Sequence, residues 1–367
     1  MNKLSFQQLC ATDHDIFSLL TSGKQRITDI TLNELAKDRG IFYSPKSSRN
    51  DLIEEISIWT HDYNDITGLI EKRDYKKRNE KMTSVILPIE LTVEEMKDIV
   101  KDYKKDVQKQ EKVTSHQKGD DGIVMNTEYD EYDYSKTRLI QRQRKDASIH
   151  IESKKGQTII RMPASEKALN IVEGFKNKVE AYKKTEIPLK KIEVDHLLSP
   201  EERNNFFMKL ISNIPMFDLE TVTNLKVDCF EEDEDIDDQE LEEDMVIKQN
   251  MIGVVHSAVF HGQNLVAAEQ YTQLRDGGFF ITSITWRAKQ NKAPYYLVQF
   301  EASFENGKLG TGFKYGAKYS TRIANTTEYT KNFKSVEGEE KSALLGLIET
   351  SARKVLDELS SNLSAEE

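Results

Sequence analysis

Apolar residues recur at helical spacing in some stretches of this chain and alternate with polar ones in others, and the two periods divide it into elements. Helical spacing predicts a first helix from Ser5 to Leu20, with Phe6, Leu9, Phe17, Leu19 and Leu20 as its apolar residues. Two short helices follow within Ile27–Trp59, and His61–Lys81 reads as a polar linker. Thr83–Leu91 reads as a strand, and Thr92 with Glu95 forms a capping box that starts a helix to Val107. A polar loop is expected over Gln108–Asp121. Strands are then expected over Ile123–Tyr134, Thr137–Arg142, Ser148–Ser153 and Gln157–Met162, closed by a helix over Ser165–Lys184. The inner face of that helix is read as Leu169, Val172, Phe175, Val179 and Tyr182.

The second half repeats the order of strands and helices without repeating residues. Ser199, Pro200 and Glu202 occupy the favoured cap, first and third positions of a helix with Phe206, Phe207, Leu210 and Ile211 as its core side. Phe217–Cys229 is a strand region closed by Cys229 as a small hydrophobe, and Asn264 caps a helix over Leu265–Leu274. Phe279–Arg287, Pro294–Phe304 and Gly312–Arg322 alternate as strands, with Glu305-Asn-Gly307 as a hairpin signal. A long helix, Glu339–Leu359, carries Leu344, Ile348, Ala352, Val355 and Leu359 at burial spacing, and Ser360–Glu367 is expected to fray. The fold class is α+β: a small N-terminal helical module, then a mixed core of two strand-rich units, each closed by a long helix. The expected divisions are 1–60, a basic polar linker 61–81, a first unit 82–190 and a second unit 191–367 with an insert at 228–244.

Length and composition narrow the class. A chain of 367 residues accommodates two domains or one large domain with appendages. With 31% charged residues and a mean hydropathy of −0.63 it reads as soluble, and no apolar run reaches the length of a membrane span. The N-terminus lacks the apolar core of a signal peptide, and Cys10 and Cys229 are the only cysteines, so a reducing cytoplasmic setting fits and a disulfide framework or thiolate zinc site does not. The net charge of −11 comes from one place: Asp228–Asp244 holds twelve acids and no Lys or Arg, and removing those twelve negative charges leaves +1. That insert reads as a solvated loop, as a polyanion mimic covering a basic strand, or as a hard-cation site without the glycine and spacing of an EF-hand loop.

The stretch Ile27–Trp59 carries the most specific pattern. Thr31 with Glu34 suggests a capping box; Leu32, Leu35 and Ala36 make one apolar face; Gly40 stops the helix; Ile41-Phe-Tyr43 continues as an extended link; Pro45 keeps Ser44 extended; Ser48 or Asn50 opens a second helix with Leu52, Ile53, Ile56 and Trp59 inside. Lys37, Arg39, Lys46 and Arg49 fall at the loop and helix ends, opposite that core. The layout, LNELAKDRGI, then a Ser-rich Lys/Arg loop, then DLIEEI, resembles the SAP and related helix–extended-loop–helix modules, including the Rho N-terminal type. The resemblance covers about a tenth of the chain. It implies that Lys46, Ser47, Ser48 and Arg49 dock with a helix N-terminus on nucleic-acid phosphates. The alternatives are a two-helix cap on the main body and a protein-docking module.

A second basic feature lies near the C-terminus. Phe313, Tyr315, Ala317 and Tyr319 share one face of a strand, and Lys314, Gly316, Lys318, Ser320 and Arg322 share the other. Lys308–Lys334 holds six basic residues and one acid, which suits either a phosphate backbone or an edge strand kept soluble by lysines. Lys72, Arg73, Lys76, Lys77 and Arg78 form a shorter cluster, read as a solvated linker helix before a phosphate contact. Tyr129, Tyr132 and Tyr134 mark an acidic, aromatic strand with either a plain or a partner-docking surface. His256 and His261 lack the spacing of a zinc-protease pair and read as structural, and Asp276, Glu301 and Lys308 do not complete a nuclease pattern. No phosphate loop, nucleophile elbow or dinucleotide fingerprint occurs, and no cofactor or metal ligand set is expected. The resulting expectation is a non-catalytic, cytoplasmic or nucleoid-associated nucleic-acid-binding protein, more specifically DNA-binding. It would use Lys37, Arg39, Lys46, Ser47, Ser48 and Arg49 in the module and Lys314, Lys318 and Arg322 on the strand. A scaffold subunit with protein partners is the second reading and a metal-dependent nuclease the third.

Overall fold

The computed structural model describes residues 11–73, 80–230, 257–323 and 326–366. The acidic run Glu231–Asp244, the following stretch to His256, the start of the expected first helix with Cys10, and Lys76, Lys77 and Arg78 lie outside them. The chain divides into two compact units: Met1–Lys77, Lys104–Thr114 and Asn126–Ala147 make the first, and Arg78–Tyr103, Ser115–Met125 and Ser148–Glu367 the second.

The first unit is largely helical: α1 (Asp13–Ser22), α2 (Asp29–Asp38), α3 (Arg49–Ser57) and α4 (Tyr63–Arg73). Thr12 caps α1 through a reciprocal bond with Asp15, so the described helix begins well after Ser5. Thr28, not Thr31, caps α2, because its hydroxyl accepts from the Thr31 amide. Gly40 takes φ +74 just past the end of α2, a conformation that a side chain would strain. The stretch expected as a polar linker instead carries α4, and its Ile66 and Leu69 are buried with Ile16, Leu19, Leu20, Ile27, Leu32, Leu52, Ile53 and Ile56. Leu139 and Ile140, from a 3₁₀ turn at Arg138–Ile140, complete that core. This turn replaces the strand expected over Thr137–Arg142, and Arg138 holds Asp15 at 3.4 Å.

Among the described residues, eleven strands form one antiparallel sheet with the order β2-β3-β4-β5-β1-β10-β9-β8-β6-β7, and β11 pairs with β10. The strands are β1 (Met82–Leu87), β2 (Glu111–Gln117), β3 (Gly122–Tyr132), β4 (Arg142–Lys154), β5 (Gln157–Pro163), β6 (Phe217–Asp228), β7 (Ser257–His261), β8 (Phe280–Gln290), β9 (Leu297–Asn306), β10 (Thr311–Ser320) and β11 (Lys334–Ser335). The two strand-rich stretches of the sequence are thus one sheet, joined where Met82 of β1 pairs with Tyr315 of β10. β2 was expected as a polar loop. It is an edge strand that buries only Glu111 and Val113, so its apolar alternation is too short to register.

The remaining helices are α5 (Val93–Val107), α6 (Glu166–Lys183), α7 (Pro200–Ser212), α8 (Glu269–Asp276) and α9 (Gly338–Glu366). α6 buries Ala168, Ile171, Val172, Phe175 and Val179, so its inner face is rotated away from the expected Tyr182, which is exposed. A Cβ on Gly174 of α6 would lie 2.8 Å from the Tyr103 ring, which explains a glycine in mid-helix. Phe206 and Phe207 of α7 meet Phe304 and Phe313 edge-on or tilted, and Leu344, Leu345, Ile348, Ala352 and Val355 of α9 join the same core. α9 remains helical through Glu366, past the expected stop. α8 is preceded by a separate 3₁₀ turn, Leu265–Ala267, in place of one continuous helix.

Candidate nucleic-acid interface

The module builds its own loop. Ser48 caps α3 in a capping box with Asp51, the Lys46 amide donates to Ser44 Oγ at 3.2 Å, and the Ser47 amide donates to the Ser44 carbonyl at 2.9 Å. Tyr43 stacks on Trp59 with ring centroids 6.4 Å apart, and burial with Glu55 nearby pushes its phenol up to about 12. Lys37, Lys46 and Ser48 are exposed and Ser47 is half-buried.

The two arginines behave differently from the lysines. Arg39 lies over the Trp59 ring at 5.3 Å and donates to the Thr60 carbonyl at 2.7 Å and to Asp65 at 2.5 Å. The Arg49 side chain is only 14% exposed; it donates to Asp29 at 2.6 Å and to the Ile27 carbonyl at 2.7 Å. Arg49 was expected opposite the core. It instead ties α3 to the turn between α1 and α2, because the Leu20 and Ile27 carbonyls and the Asp29 carboxylate converge there. Arg49→Ala is therefore predicted to cost about 1–3 kcal/mol, the range for a charge-assisted hydrogen-bond group removed from a part-buried site. Urea denaturation of the full chain measures it; an unchanged midpoint would place Arg49 back on the solvent side.

The strand face is more balanced in charge than its sequence. Phe313 and Tyr315 are buried, with Ala317 and Tyr319 packed against the same core, as the alternation predicts. On the opposite face Lys314 lies 3.8 Å from Glu305, Lys81 pairs with Glu301, and Lys289 lies 2.7 Å from Glu220. Arg322 donates to the Thr326 carbonyl at 2.6 Å, and Arg287 sits under the Phe333 ring at 4.9 Å. Lys318 lines a shallow depression with Lys81, Lys341, Glu80, Glu301 and Gln299. The acids that balance this face come from β6 and β9, which counting charges along β10 alone does not reveal. Tyr132 and Tyr134 are exposed and stack at 6.2 Å, whereas Tyr129 is buried.

A scan against protein-family models finds no match to this chain, and neither does a search of curated proteins. Among the described residues, no group of three or more His, Cys, Asp or Glu is placed to hold a metal ion, and no helix is long and apolar enough to cross a membrane. Asp276 pairs with Arg275, and His261 ends the edge strand β7.

Two clusters escaped sequence reasoning. The first is ionic and deep. Glu349 of α9, its side chain 4% exposed, accepts from Arg161 Nε at 2.6 Å and from the Tyr315 hydroxyl at 3.4 Å. Arg353 lies 3.8 Å from Glu349 and donates to the Ser84 carbonyl and hydroxyl at 3.2 and 3.1 Å. Burial and then Glu349 raise the Tyr315 phenol, while burial lowers Arg353. The available signal was an acid at 349 four residues past Leu345 and four before Arg353, on an otherwise apolar stripe.

The second cluster surrounds His150 of β4. Burial first, then Lys118, Arg161, Lys341 and His116, bring its pKa down to about 4. Because the native value lies below the ordinary value of 6.5, the unfolded chain binds more protons between those two values, and stability falls as pH drops through that window. After allowance for solvent screening, the effect is about 1–2 kcal/mol. His150→Gln is predicted to remove that part of the acid sensitivity, read as a smaller loss of melting temperature between pH 7 and pH 4.5 than in the unaltered protein. Equal losses would show that His150 does not titrate abnormally.

Proposed function

We propose that this chain is a non-catalytic nucleic-acid-binding protein, with DNA as the expected ligand, whose N-terminal helix–extended-link–helix module makes the main contact. The observation that carries the reading is the pair Lys37 and Lys46, both exposed, one in the last turn of α2 and the other in the link before the capped N-terminus of α3. Backbone amides at a helix N-terminus and nearby ammonium groups are complementary to phosphate oxygens. Arg39 and Arg49 support the reading as the residues that hold this loop in place, and Lys318 supplies a second contact on β10. A cytoplasmic or nucleoid-associated location goes with this function.

The scaffold reading has its own support. Ile30, Phe42 and Ile58 of the same module are 72%, 78% and 68% exposed, large apolar groups that suit a protein partner. Titration against single- and double-stranded DNA and RNA at two salt concentrations separates the two. Phosphate contacts release counterions and give affinity that falls steeply with salt, whereas apolar docking does not. Absence of salt-dependent binding to all four ligands would remove the nucleic-acid reading.

A further inference from the structure

We propose that the His150 cluster is a binding site for a phosphate-type oxyanion, formed by His116 of β2, Lys118 just past the end of β2, His150 of β4, and Lys341 and Ser342 in the first turns of α9. The inference does not depend on nucleic-acid binding by the N-terminal module.

The geometry carries it. Lys118 Nζ lies 3.4 Å from His150 Nδ1 and donates to Ser342 Oγ at 3.1 Å. On the other side of the ring, His150 Nε2 is 3.5 Å from Ser148 Oγ. An ammonium group beside Nδ1 makes that nitrogen the acceptor and places the ring proton on Nε2. Lys118 therefore spends its charge on an imidazole lone pair and a hydroxyl, not on a carboxylate.

Glu152 and Glu349 are committed to other cations. Glu152 accepts from Arg161 at 3.0 Å and also pairs with Lys154 at 2.6 Å, and Glu349 accepts from Arg161 at 2.6 Å. The first turn of α9 also carries Glu339 and Glu340, and Glu340 is engaged by Tyr296. Lys118, Arg161 and Lys341 are the cations that bear on this half-buried imidazole, and of these Arg161 is paired with Glu152 and Glu349. Burial first, and then the surrounding cations, disfavour a further proton on His150. A tetrahedral oxyanion would reverse the sign, accepting from both ammonium groups, from Ser342, and from the imidazolium it stabilises. A free phosphate group and a phosphodiester backbone share this chemistry.

The test is NMR titration of the histidine ring signals of the full chain, with His150 assigned among the seven histidines by its loss in His150→Gln. Titrations are run at matched ionic strength in chloride, in inorganic phosphate, and with a short oligonucleotide lacking a terminal phosphate. The His150 pKa is expected to rise by about one unit or more in at least one anion arm relative to chloride. A response to phosphate alone identifies a free phosphoryl group as the ligand; a response to the oligonucleotide identifies a phosphodiester. Lys118→Ala/Lys341→Ala should abolish the anion-dependent rise, and calorimetry at neutral pH should show affinity for the responding ligand about tenfold weaker in that variant, which removes two surface cations and leaves the core intact. An equal His150 pKa in all three solutions, or an anion-dependent rise that survives in the double variant, would overturn the proposal.

Discussion

Glu349→Ala is expected to destabilise the second unit by about 3–5 kcal/mol, the cost of leaving a buried ion pair with one partner missing. Two guanidinium groups lose their shared counter-charge at once: Arg161 at 2.6 Å and Arg353 at 3.8 Å from the carboxylate. Water does not readily replace it, because Tyr315 is fully buried beside it and Ile348 and Ala352 enclose the same stretch of α9. Replacing the whole group with apolar residues, as in Glu349→Leu with Arg161→Met and Arg353→Met, should cost much less than the single change, since no charge is then stranded. Denaturant unfolding measures both. A loss below about 1 kcal/mol for Glu349→Ala would mean that the network is solvated, as surface pairs are.

Val355→Asp should have an effect of similar size for a different reason. Val355 is 1% exposed on the inner stripe of α9, and an aspartate there would be charged among apolar neighbours with no partner placed for it. The expected loss is several kcal/mol, on the order of 3 or more, or an aspartate pKa raised far enough to keep it neutral. Val355→Ala is the control and should cost less. A melting temperature unchanged by Val355→Asp would contradict the burial of this face.

These two residues illustrate what was legible from the chain alone. Val355 was readable because burial at helical spacing repeats over five positions from Leu344 to Leu359, and the α+β class followed from stretches equally periodic. Glu349 was not readable as a core residue: its partners Arg161 and Tyr315 come from strands far away in sequence, and only the antiparallel pairing of β1 with β5 and β10 brings them to one place. The same limit applies to the candidate site. Gly40, Ser48 and the apolar faces of the module act locally and were visible. The engagement of Arg49 by Ile27 and Asp29 is tertiary, and so is the approach of Lys314 on β10 to Glu305 on the neighbouring strand. β2 and the turn at Arg138–Ile140 failed for a further reason: each buries two residues, too few to set a period.

The most direct measurement on the central claim is the salt dependence of DNA affinity for the unaltered chain and for Lys37→Ala/Lys46→Ala. Both lysines are exposed, so the fold should persist, which circular dichroism checks. If they contact phosphates, affinity should fall across all sequences, and the slope of log affinity against log salt should become shallower by about two contacts' worth, roughly 0.9 each on duplex DNA. An unchanged affinity and slope in a folded double variant would contradict the account and leave the module with its exposed Ile30, Phe42 and Ile58 as a protein-docking surface.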